Sequence, residues 1–103
     1  MNNDLEPRLR ELLDRQEIQE ILTRYCRGVD RADRELLAST FHPDAIDDHG
    51  YFQVSGPTIA DELLSRSKDH SAGSLHFIGN QTIDLRGDRA FTESYFLALL
   101  LVK

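Results

Sequence analysis

Apolar residues recur at helical spacing through Ile18–Asp30. Ile18, Ile21, Leu22, Tyr25 and Val29 fall at i, i+3, i+4, i+7 and i+11 and share one face. Asp14, with Glu17 three residues later, has the form of a capping box ahead of that run. A main helix is therefore predicted over Asp14–Val29, with its apolar face on a sheet made by the second half of the chain. Upstream, Met1–Glu6 reads as a polar, frayed start. Pro7 opens a short helical turn with Leu9, Leu12 and Leu13 on its apolar side. Asp33 is a second start signal. Leu36, Leu37 and Phe41 predict a short helix over Asp33–Thr40, closed by Pro43 and leaving Asp30 at the corner.

The second half changes period. Ala45–Ser55 contains Ile46, Tyr51, Phe52 and Val54, is broken by Gly50, and reads as a short hairpin ended by Gly56-Pro57. Thr58 caps a helix running to about Lys68, with Ile59, Leu63 and Leu64 inward, and His70–Ser74 is a loop. Leu75–Leu85 and Ala90–Val102 are two long strands joined at Arg86-Gly87-Asp88. Gly and Asp there serve turn geometry, so the triplet is not read as an adhesion motif. Helices and strands are segregated, which predicts α+β rather than a parallel βαβ design, in one domain over 1–103 with 1–13 as an extension. The apolar run Phe96–Val102 would form an exposed sheet edge, so either further chain or a partner subunit covers it, and a homodimer is expected.

Composition narrows the function. Twelve Lys and Arg stand against eighteen Asp and Glu, a net charge of −6, which argues against nucleic acid because phosphate binding needs clustered cations. The single cysteine, Cys26, excludes an intrachain disulfide and reads as a small buried residue. The polar start is unlike a signal peptide, and no apolar run reaches the length needed to span a bilayer; a cytoplasmic setting is expected. There is no Gly-rich phosphate loop and no zinc-like spacing, so no cofactor is expected. His42, Asp44, Asp47, Asp48 and His49 invite a metal reading. Strand alternation, however, sends Asp48 and His49 to opposite faces, and that reading is set aside.

Taken in order, Ile18…Tyr25…Gly28-Val29-Asp30, Leu36…Phe41-His42-Pro43-Asp44-Ala45, Gly56 before a helix, His76-Phe77-Ile78-Gly79-Asn80 and Gly87-Asp88-Arg89-Ala90 resemble the SnoaL-like proteins of the nuclear-transport-factor-2-like superfamily. The resemblance covers roughly Asp14–Tyr95. It implies a cystatin-like cone, a curved antiparallel sheet wrapped on helices around a pocket. Members carry further strands past the point reached here. Enzymes of the superfamily include scytalone dehydratase, hexachlorocyclohexane dehydrochlorinase, bile acid 7α-dehydratase, ketosteroid isomerase and polyketide cyclases. In the dehydratase and dehydrochlorinase members an aspartate after the first helix pairs with a histidine on a central strand. Asp30 and His76 stand at those positions, and Tyr25 matches a tyrosine five residues before the aspartate.

Those residues suit proton abstraction from carbon. Histidine is a base near neutral pH without a large shift. A carboxylate on its other nitrogen fixes the tautomer and stabilises the imidazolium. Asp30 orients, His76 is the base, and Tyr25 donates a hydrogen bond to a substrate oxygen. Alternation along an unbulged strand adds Ile78 and Asn80 to the face of His76, and Tyr51 lines the mouth. The expected function is a cofactor-independent lyase or isomerase, dehydratase-like, acting on a small apolar molecule. The alternatives are a non-catalytic binding module and an accessory dimerisation module of the same fold.

Overall fold

The computed structural model describes residues 4–103, so the expectation of a frayed start falls for Met1, Asn2 and Asn3 outside the described residues. The order is α1 (Leu5–Asp30), α2 (Arg34–Ala38), β1 (Ile46–Asp48), β2 (Gln53–Ser55), a short 3-10 turn (Gly56–Thr58), α3 (Ile59–His70), β3 (Gly73–Arg86) and β4 (Arg89–Leu101). This is an α+β fold of two antiparallel hairpins, β1-β2 and β3-β4, both open.

The first helix is longer than its apolar pattern predicted. It starts at Leu5, runs without a break past Asp14, and takes in most of the predicted extension. Pro7 lies in the first turn, where its missing N–H would have had no helical partner. The Leu, Arg and Glu residues that follow favour helix, and Glu6–Arg10 and Glu11–Arg15 pair one turn apart at 2.8 and 3.0 Å. Asp14 is thus an interior residue and not a cap.

The helix ends in a Schellman arrangement that aims Asp30. Asp33 N–H donates to Gly28 O at 2.9 Å and Ala32 N–H to Val29 O at 3.2 Å, while Ala32 takes φ +51°. A non-glycine residue there is mildly strained. Asp33 then caps α2 with its side chain, accepting from Leu36 N at 3.1 Å. The α1–α2 corner is close because Gly28 is buried against Leu37, itself fully buried.

The core gathers Leu37, Ile59, Ala60 and Leu63, with Tyr25, Val29, Phe41, Phe52, Val54 and Leu64 packed around them. Along α1, Ile18, Leu22, Tyr25 and Val29 are half-buried and Ile21 is exposed. The helix lies on β3, with Arg15 donating to Ile83 O at 2.9 Å. The β3-β4 hairpin turns on Gly87 and Asp88 with Gly87 at φ +61°, a two-residue loop whose first position calls for glycine. One irregularity matters for the site. The register passes from Ile78↔Phe96 to Gln81↔Ser94, so Gly79 and Asn80 together face Tyr95 in a bulge.

Candidate active site

Asp30 is the last residue of α1, and His76 is the fourth of β3. Asp30 Oδ1 lies 2.6 Å from His76 Nδ1 and accepts from Ser74 Oγ at 2.8 Å, while Oδ2 accepts from the His76 backbone N–H at 2.9 Å. Both side chains are mostly buried, with 16% and 19% of their surface exposed. The Schellman turn sets the carboxylate at the strand, and alternation puts Ser74 and His76 on the face that meets it. Burial works to raise the Asp30 pKa; the hydrogen bonds from the His76 ring, the His76 N–H and Ser74 outweigh it and hold the carboxyl below its ordinary value. A carboxylate on Nδ1 keeps the proton there, leaving Nε2 as the basic nitrogen.

The lowered Asp30 pKa carries a stability consequence. The ionised group binds its partners in the folded state, so its contribution is present above the ordinary aspartate value of about 3.9 and is lost as pH falls through the lower folded value. Urea unfolding at neutral pH and at about pH 3 is expected to show native protein more stable than Asp30→Asn at neutrality, with the gap closing in acid. A gap independent of pH would contradict the ionised, hydrogen-bonded Asp30.

His76 lines a cavity of about 160 Å³ together with Tyr25, Tyr51, Phe52, Arg66 and Leu100, among others. An apolar cavity of about 150 Å³ holds a benzene-sized ring. A wider cleft of about 590 Å³ reaches Asp30 past Arg31, Asp61 and Lys68, but neither His76 nor Tyr25 lines it. Tyr25 packs edge-on against Phe41, with ring centroids 6.0 Å apart. Burial first, then the charges of Asp47 and Cys26, push its hydroxyl up to about 12, so it stays a neutral hydrogen-bond donor. Cys26 is buried, and burial followed by Asp30 pushes its thiol up, away from the thiolate a nucleophile needs.

Of the residues singled out from sequence, His76, Tyr25 and Tyr51 line this cavity, and Asp30 stands behind it on the His76 ring. Asn80 does not line it. The bulge moves it off the face of His76 and leaves it exposed, and Gln81 resumes the inward series with Ile83. Ile78 is half-buried but is not among the lining residues. Ser74 and Arg66 went unread. Ser74, assigned to the loop His70–Ser74, is the second residue of β3 because the strand starts at Gly73, and it shares the face of His76. Arg66 lies one turn beyond Leu63 on α3 and lines the cavity. His49 also lines the cavity; its Nδ1 lies 3.2 Å from Asp47 Oδ2, and its ring stacks on Phe52 with centroids 4.6 Å apart. His70 is exposed and lines the cavity as well. Among the described residues no group of three His, Cys, Asp or Glu side chains converges as a metal site would require, and no helix is long and apolar enough to cross a membrane.

The SnoaL-like domain family matches residues 10–103. The chain belongs to that family. The solved structures agree on the fold of this SnoaL-like domain. A nuclear-transport-factor-2-like protein with a cystatin-like fold from Novosphingobium aromaticivorans superposes with a TM-score of 0.81 at 28% identity, over 99% of this chain and 69% of the neighbour. Hexachlorocyclohexane dehydrochlorinase type 3 from Novosphingobium barchaimii gives 0.81 at 24% identity, over 89% and 65%. A protein provisionally assigned as a scytalone dehydratase from Novosphingobium aromaticivorans gives 0.77 at 22%, over 89% and 63%. The chain spans about two thirds of the length of these neighbours. No curated protein matches it.

Proposed function

We propose that this domain is a cofactor-independent lyase or isomerase of the dehydratase type. The observation that carries the reading is the 2.6 Å contact of Asp30 with His76 beside a ring-sized cavity. His76 Nε2 takes a proton from a substrate carbon. The C–H electron pair forms a double bond as the neighbouring carbon releases hydroxide or halide, or shifts to an adjacent carbonyl as an enolate in the isomerase case. Asp30 steadies the resulting imidazolium, and the Tyr25 hydroxyl donates to the oxygen that gains charge. The proton on Nε2 then passes to the leaving group or returns to carbon. Small cyclic ketones with a hydroxyl or halogen β to the carbonyl are the test substrates. Native protein in D₂O is expected to eliminate the group, or to exchange the α-hydrogen for deuterium by NMR, and the ¹⁵N spectrum should show His76 protonated at Nδ1. Neither elimination nor exchange across such a panel, or a proton on Nε2, would overturn the reading.

A second copy of the domain is the partner we propose for the open sheet. In β4 both odd and even positions are exposed, Phe96 and Leu100 as well as Leu97 and Leu99, so neither face of that segment is covered by this chain. Sedimentation at micromolar concentration is expected to show a dimer; a monomer would rule that partner out.

A further inference from the structure

The lining of the cavity is out of keeping with the rest of the molecule. The chain has a net charge of −6, yet no Asp or Glu lines the cavity, while Arg66, His49, His70 and His76 do. Asp30 is hydrogen-bonded to His76, and Asp47 Oδ2, buried without a hydrogen bond, lies 3.2 Å from His49 Nδ1. Arg66 is the one permanently charged group of the lining. Its guanidinium carbon sits 3.9 Å over the Phe52 ring, whose stacked partner is His49 at 4.6 Å. Phe52 thus carries a cation–π contact from Arg66 and a stacked imidazole from His49. The Arg66 side chain is 41% exposed and pairs one turn back with Glu62, Nε to Oε2 at 4.0 Å, too long for a hydrogen bond. A pair that loose and that open to solvent is worth little, so a better-placed anion can displace it.

We propose that Arg66 is an anion-binding residue and that the ligand is a single ring bearing a carboxylate. The ring matches the volume of about 160 Å³ and the apolar walls of Phe52, Leu63, Val29 and Leu100. The carboxylate matches the fork of the guanidinium. This inference rests on the reading of the same cavity as the active site and deepens it. It adds a carboxylate to the small substrate proposed above, with Arg66 holding the anion while His76 works on the ring.

Benzoate and benzamide differ in charge and hardly in shape, so the pair isolates the anion. Calorimetric titration of the full chain is expected to show benzoate bound about tenfold or more tighter than benzamide. Arg66→Gln should abolish that preference and leave benzamide binding as it was. Arg66→Lys, which keeps the charge and loses the fork, should fall between them and guards against a Gln variant that misfolds. Equal affinity for the two probes, unchanged benzoate binding in Arg66→Gln, or no binding of either at millimolar concentration would overturn the proposal. The two readings fail separately. If Arg66→Gln leaves benzoate binding intact while native protein catalyses exchange, only the anion site is wrong. If benzoate binding depends on Arg66 while native protein catalyses nothing, only the lyase reading is wrong.

Discussion

Replacing His76 by Ala is expected to lower the turnover proposed above by about 10³-fold and to leave the melting temperature within a few degrees of native. The rate loss is the part of the barrier that a positioned base supplies, roughly 10² to 10⁴ in measured cases. The fold survives because the substitution does not strand Asp30. Oδ1 keeps the Ser74 hydroxyl at 2.8 Å, and Oδ2 keeps the residue 76 backbone N–H, which any side chain at that position still presents. The ring is also not part of the buried cluster of Leu37, Ile59, Ala60 and Leu63. Steady-state rates with a β-hydroxy ketone substrate, alongside thermal unfolding, check both halves. Normal turnover in His76→Ala would end the mechanism; a collapse of the melting temperature would make His76 a structural residue.

Gly28→Ala lowers stability by about 2 kcal/mol, and the melting temperature by roughly 10 °C. A β-carbon at position 28 would lie 2.8 Å from Leu37 Cβ, 2.9 Å from Leu37 Cα and 2.9 Å from Leu37 N. Two of those atoms are backbone and cannot rotate away, so α2 must move bodily. Overpacking of this kind costs about 1–3 kcal/mol or more, and the better helix propensity of Ala offsets only about 1 of it. Because α1 ends two residues later at Asp30, the same displacement reaches the dyad, and the variant should lose catalytic rate as well as stability. Thermal unfolding by circular dichroism reads the first effect. A melting temperature equal to or above native would show that the corner yields more easily than its geometry indicates.

Much of this molecule could be read along the chain. The apolar face of α1, the capping Asp33, the break at Gly56-Pro57 and the two long strands each follow from local periodicity or turn chemistry, which act over a few residues. The extent of α1 was misread because Asp14 and Glu17 look like a cap only if the preceding turn is not already helix, and the Leu, Arg and Glu residues before it favour helix just as well. Asn80 was placed by an alternation that a bulge between Ile78 and Gln81 interrupts. Gly79 hinted at such a break, but where the extra residue falls depends on the partner strand.

The sequence by itself determined that helices and strands are segregated, that Asp30 falls at the end of a helix, and that His76 rides an apolar strand. Residue order and spacing suffice for these because period 3.6 and period 2 are properties of the backbone. Only the tertiary structure decided which groups share the cavity. Asp30 and His76 are 46 residues apart and meet through a Schellman turn and a strand register. Arg66 comes to the cavity from α3 and His49 from the turn between β1 and β2, and both pack on the Phe52 ring. Contacts over such separations are fixed by packing around Leu37 and by the closeness that Gly28 permits, and those are properties of the assembled chain.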